Sequence, residues 1–181
     1  MLSQVQQRKF DAYFKLLDFD KDGYLERRDF EEIADNFASR AGLPKESGEY
    51  KQIQGAWLAS WEHVKEVCGT DHDGRITSDE WTKTLERTVS DEERYNQYVT
   101  PVAEGLFQLL DTNGDGHVGR DEYRQFISSM RGEEGDADSA FEKLDSNRDG
   151  QLSKDEVLAA VRDYHASSDP EAPGNWLFGP F

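Results

Sequence analysis

Four short segments of this chain repeat one spacing of acidic and small polar residues around a glycine. They are Asp18-Phe19-Asp20-Lys21-Asp22-Gly23, Gly69-Thr70-Asp71-His72-Asp73-Gly74, Asp111-Thr112-Asn113-Gly114-Asp115-Gly116 and Asp145-Ser146-Asn147-Arg148-Asp149-Gly150. Two residues after each glycine stands an apolar residue (Leu25, Ile76, Val118, Leu152), and four beyond that a carboxylate (Asp29, Glu80, Glu122, Glu156). An internal repeat constrains a fold before any single element does. Apolar residues on both sides of each segment fall at helical spacing: Phe10, Tyr13, Phe14 and Leu17 before the first, Phe30, Ile33, Ala34 and Phe37 after it. The expectation is an all-α chain of four helix-loop-helix units, arranged as two pairs in one compact body.

The loops begin at residues 18, 69, 111 and 145, so the gaps are 51, 42 and 34 residues. The pairs are expected over residues 1–89 and 100–165, with a linker at 90–99 and a tail at 166–181 packed on the core. Thr100-Pro101 reads as a helix start, a capping residue followed by proline at the first helical position. The long first gap implies extended helices or an insertion around residues 41–48.

The repeat suits one kind of ligand. Calcium is a hard cation that takes six to eight oxygens at about 2.3–2.6 Å in loose geometry. A loop of about twelve residues supplies them from side chains at positions 1, 3 and 5, a backbone carbonyl at 7, a side chain or water at 9, and a carboxylate at 12. Glycine at position 6 allows the sharp turn. The third loop offers Asp111, Asn113, Asp115, the His117 carbonyl and Glu122, with Gly119 leaving position 9 to water. The fourth offers Asp145, Asn147, Asp149, the Gln151 carbonyl, Ser153 and Glu156. Ser153 and Glu156 also fit a helix-capping box that needs no metal. The first loop offers Asp18, Asp20, Asp22, the Tyr24 carbonyl and Glu26, but ends on the shorter Asp29, which strains bidentate ligation and favours tolerance of magnesium. The second loop starts on Gly69 and lacks the first ligand, so it is expected to pair with the first loop rather than hold an ion strongly. Three bound calcium ions are expected.

Composition agrees with a cation binder. The formal net charge is -17 and the pI near 4.5, which disfavours nucleic acid and anionic membranes, both of which recruit Lys and Arg. Self-repulsion on this scale destabilises a compact state until cations offset it. A single cysteine, Cys68, excludes an intramolecular disulfide and a Cys-based zinc site. The first nine residues lack an apolar signal core, and no run of about 18 apolar residues could span a bilayer. The expected setting is cytoplasmic and the expected state monomeric.

These loops, the impaired second hand, Asp29 at the end of the first and Val161-Arg162-Asp163-Tyr164 near the end of the last helix resemble the sarcoplasmic calcium-binding protein and calerythrin group of EF-hand proteins. The resemblance implies a compact single body, intracellular calcium buffering and calcium transport. After the last helix, Trp176, Leu177, Phe178 and Phe181 crowd a segment rich in proline and glycine. A solvated tail does not carry that apolar load, so these residues are expected to fold back between the hands. Sensors of calcium expose flexible, Met-rich grooves, and this chain has two methionines. A buffer is therefore the first expectation. A sensor whose tail is expelled to free a groove for an unidentified target protein stays open. So does a luciferin-binding or photoprotein-like chain using His63 or His165, which the same fold allows by resemblance. No nucleophile–base constellation points to an enzyme.

Overall fold

The computed structural model describes residues 2–69, 74–131 and 136–179. Along the chain run α1 (Gln4–Leu17), β1 (Tyr24–Leu25), α2 (Arg27–Arg40), α3 (Gly48–Cys68), β2 (Ile76–Thr77), α4 (Ser78–Val89), α5 (Glu92–Leu110), β3 (His117–Gly119), α6 (Arg120–Arg131), α7 (Ala137–Leu144), β4 (Gln151–Ser153) and α8 (Lys154–Ala166). A 3-10 turn, Pro173–Trp176, follows α8. Local chemistry sets several helix starts. Ser3 accepts from the Gln6 amide at 3.1 Å while the Gln6 side chain takes the Ser3 amide at 3.0 Å. Thr77 with Glu80, and Ser153 with Glu156, make the same reciprocal cap. Each such cap stabilises its helix by about 1 kcal/mol.

Each helix–loop–helix unit pairs with its neighbour through the loops. β1 lies antiparallel to β2 with Leu25 opposite Ile76, and β3 to β4 with Val118 opposite Leu152. All four of these residues are buried. The position after the position-7 carbonyl therefore does two things: it closes the strand pair and pins the loop to the core. The second loop pairs with the first, as its spacing implies. Its Asp71 and Asp73 lie outside the described residues.

The proline signal misleads in one place. α5 starts at Glu92, because Asp91 accepts from the Glu93 and Arg94 amides at 3.0 and 3.2 Å and two glutamates follow in the first turn. That cap, reinforced by negative charge at a helix N-terminus, prevails over Thr100-Pro101. Pro101 sits inside the helix, at the cost of one backbone hydrogen bond. Helix thus occupies most of the stretch expected as a linker over residues 90–99.

The two pairs share one core. α2 packs on α6, α3 on α5, and α1 on α4 and α8. Phe37 lies 5.7 Å from Phe126 across the boundary between the pairs. The 3-10 turn rests on α7 and α8, and beyond it Leu177 and Phe178 are buried. Phe178 stacks on Tyr13 of α1 at 4.7 Å and meets Tyr164 of α8 edge-on at 5.1 Å. Tyr123 of α6 donates to the carbonyls of Trp176 and Leu177 at 3.0 and 3.1 Å. Phe181 lies outside the described residues.

Candidate metal centre

The first, third and fourth loops fold through one hydrogen-bond pattern. The amide of the position-6 glycine donates to the position-1 aspartate: Gly23 to Asp18 at 3.0 Å, Gly116 to Asp111 at 2.9 Å and Gly150 to Asp145 at 2.9 Å. Position 5 donates its amide to the side chain at position 3, and position 7 to the side chain at position 5. Each of these bonds turns a side-chain oxygen inward and curls the backbone around it. Glycines 23, 116 and 150 hold φ of +90°, +86° and +87°, which a side chain would resist.

The last carboxylate bridges the ends of the loop. Oε1 of Glu122 accepts from the Thr112 amide and Oε2 from the Gly119 amide, at 2.9 and 2.8 Å. Glu156 does the same with Ser146 and Ser153, at 3.0 and 2.9 Å. Capping and loop closure are therefore compatible duties for Glu156, each on its own oxygen. Burial works to raise the Glu156 carboxyl, but its bonds from Ser153, Ser146 and Asn147 outweigh it and leave the pKa below the ordinary value.

Asp29 closes the first loop in the same way despite its shorter side chain. It accepts from the Phe19 and Glu26 amides at 2.9 and 2.8 Å. To reach them it is drawn in to 1% exposure, and that burial lifts its pKa to about 6 against the pull of its amide donors. One oxygen each of Asp18, Asp20 and Asp22 lies within 4.8 Å of the others. Oδ1 of Asp18 is buried with no hydrogen-bond partner among the described residues. Burial raises the Asp18 carboxyl, and the charges of Asp22 and Asp20 add to that rise. A buried carboxylate oxygen left unpaired is costly, and a hard cation among these three acids is the partner the geometry fits.

The second loop departs at its first residue. Asp18, Asp111 and Asp145 leave their helices with φ of -71°, -76° and -72°. Gly69 leaves α3 with φ +71° and donates its amide to Lys65 as a helix cap. The chain therefore enters this loop along another path, besides lacking the carboxylate. Glu80 still binds the Thr77 amide at 2.9 Å, so the exit side keeps the pattern.

Other residues at and around the site carry weaker sequence signals. Thr112 and Ser146 donate both amide and hydroxyl to the closing glutamates, a role any short hydroxyl residue hides well. Lys9 is wholly buried and donates to the carbonyls of Asp163 and Ser167 and to Oδ1 of Asn175, at 3.1, 2.9 and 3.0 Å. A lysine directly before Phe10 on the apolar side of α1 was the one available hint. His165 is buried, with Nδ1 against the Val161 carbonyl at 2.8 Å, and burial pulls its pKa to about 4. His63 contacts the Tyr98 carbonyl.

Paired helix–loop–helix units with oxygen-lined bends define a calcium-binding protein of the EF-hand class. The sequence model described as EF hand matches residues 70–85, 103–127 and 137–159. Calerythrin from Saccharopolyspora erythraea is 30% identical over 91% of this chain and 94% of its own. A sarcoplasmic calcium-binding protein from Perinereis vancaurica tetradentata is 30% identical over 71% of each. The solved structure of a coelenterazine-binding protein from Renilla muelleri, in its calcium-loaded apo form, superposes with a TM-score of 0.81 over 99% of this chain and 100% of that one. At 22% identity it speaks for the fold alone. The chain belongs to the sarcoplasmic calcium-binding protein and calerythrin group of EF-hand proteins.

Proposed function

We propose that this chain is an intracellular calcium buffer and carrier that holds three ions, at the first, third and fourth loops. The proposed ligands are Asp18, Asp20, Asp22, the Tyr24 carbonyl, Glu26 and Asp29; Asp111, Asn113, Asp115, the His117 carbonyl and Glu122; and Asp145, Asn147, Asp149, the Gln151 carbonyl and Glu156. The observation that carries the reading is the unpaired, buried Oδ1 of Asp18 beside two further acids, in a bend whose hydrogen bonds recur in the other two loops. Magnesium competes first at the first loop, where the short Asp29 suits a six-oxygen shell better than a seven-oxygen one.

Buffering is favoured over sensing because the aromatic centre formed by Tyr13, Phe126 and Tyr164 is already filled. Phe178 occupies it, touching rings of α1, α6 and α8. A sensor would have to expel those contacts to offer a groove. Two measurements on chelator-treated protein test the proposal. Calorimetric titration should count three calcium ions; two or four would overturn the assignment of the first or the second loop. Hydrogen exchange at the Gly179 amide, which donates to the Trp176 carbonyl at 2.8 Å, should stay slow on calcium loading. Rapid exchange with calcium bound would make the chain a sensor instead.

A further inference from the structure

An open cavity of about 960 Å³ lies between α3 and α5, with α2 and α6 at its sides. Its walls include Ile53 and Ala56 of α3, Val102 and Leu109 of α5, and Phe37 and Phe126. A second, inner cavity of about 50 Å³ shares Ser60, Val102, Leu109 and Phe126 with it. The inner cavity is also lined by Trp57 of α3. Trp57 is 6% exposed, and its indole N–H is buried with no acceptor among the described residues. Ser60, one turn away, commits its hydroxyl to the Ala56 carbonyl at 3.1 Å. Neither the metal loops nor the tail makes use of this donor.

A buried indole N–H normally finds an acceptor. Here Trp57 lines the small inner cavity, which adjoins an outer one whose size falls within the range of small-molecule sites. The rim sets the charge of what can enter. Glu49, Asp111 and Glu122 line the outer cavity, and among its described lining residues there is no lysine or arginine. Asp111 and Glu122 are the proposed calcium ligands of the third loop, so in the calcium-loaded chain their charge is offset and the mouth suits an uncharged molecule.

We propose that the two cavities together form a binding site for one uncharged, mostly apolar molecule bearing a hydrogen-bond acceptor. Its body fills the space between α3 and α5, the side chains shared by the two cavities turn aside, and its acceptor takes the Trp57 N–H. Tyr13 and Phe178 also line the inner cavity, so the seated tail forms one wall of the site and the site needs the tail in place.

Prodan, a neutral naphthalene with one ketone acceptor and polarity-sensitive emission, is a suitable probe. Its acceptor-free relative 2-dimethylaminonaphthalene is the control. Titrated into the full calcium-loaded chain, prodan should bind one-to-one and saturably, with blue-shifted emission. Trp57→Phe keeps the ring and deletes the donor. It should weaken prodan about five-fold, the worth of one hydrogen bond, and leave the control within about two-fold. Gly105→Trp places bulk in the groove from α5, where a Cβ meets nothing within 4 Å. It should weaken both dyes at least ten-fold while the number of calcium ions bound is unchanged. Ala56→Phe, from the facing helix, is the second blocking variant and should act in the same way. Binding without saturation, equal prodan affinity in Trp57→Phe, or undiminished binding in a folded blocking variant would each overturn the proposal.

Discussion

At position 12 a single carboxylate joins loop closure to helix capping, and Glu156 carries both with one oxygen apiece. Replacing it by Gln turns one of those acceptors into a donor facing an amide and removes a charge from the bend. Glu156→Gln should therefore weaken calcium at the fourth loop at least ~10-fold, given that hydrogen bonds to charged groups contribute about 1.5–3 kcal/mol. Calorimetry should then count two tight sites in place of three. Lys9 makes a different prediction at the same scale. Burial draws its ammonium down to about 8, with the charge of Asp163 opposing. Below that pH the folded and unfolded chains both hold the proton. Between about 8 and the ordinary lysine value near 10.4 only the unfolded chain keeps it, so stability rises with pH through that window. Lys9→Met loses the bonds to Asp163, Ser167 and Asn175 at every pH. Thermal unfolding should find it less stable than the parent chain at pH 8, and the gap should widen by pH 10.

Among the elements, the loops owe their shape to backbone that few residues adopt. Gly116→Ala would place a side chain at φ +86°, a strain of order 1–3 kcal/mol, and should lower both the melting temperature and calcium affinity of the third loop. Arg148 already sits at φ +60° in the fourth loop, so Arg148→Gly should be neutral or stabilising there. The second loop gives a sharper test. Since Gly69 takes φ +71° as the cap of α3, Gly69→Asp restores a carboxylate on the wrong backbone path. The calcium count should stay at three, with stability falling by about 1 kcal/mol. The loops were the most legible part of the sequence because each ligand position is tied to its neighbours within twelve residues, so spacing alone carries the geometry. Helix ends were less legible. Thr100-Pro101 is a strong local signal, yet Asp91 and the two glutamates after it start α5 earlier, and packing against α3, α4 and α8 holds Pro101 inside the helix.

Across the whole molecule, the long-range polar contacts were hidden. Nothing within ten residues of Lys9 announces Asn175, 166 positions away, and a lysine on an otherwise apolar helix face reads as a solvated end until its partners are known. The aromatic tail was visible as a surplus of large side chains; which rings receive it was not. Phe178→Ala should cost about 3–5 kcal/mol, as expected for emptying a packed aromatic site, read as a lowered unfolding midpoint in denaturant. Gly174 sets a second demand on the same closure: a Cβ there would stand 2.3 Å from Cβ of Asp163 and 2.4 Å from the Ala160 carbonyl.

The order in which a ribosome delivers these pieces gives that closure another meaning. Residues 173–179 are synthesised after every helix they cover, so a nascent chain carrying all four bends still presents Tyr13, Phe126 and Tyr164 without the ring that sits among them. Metal can be gathered early, while the sealing of the interior waits for a segment made after all four bends. A translation arrest a dozen codons short of Phe178 would leave a loaded but open molecule, a natural client for chaperones that grip greasy surfaces.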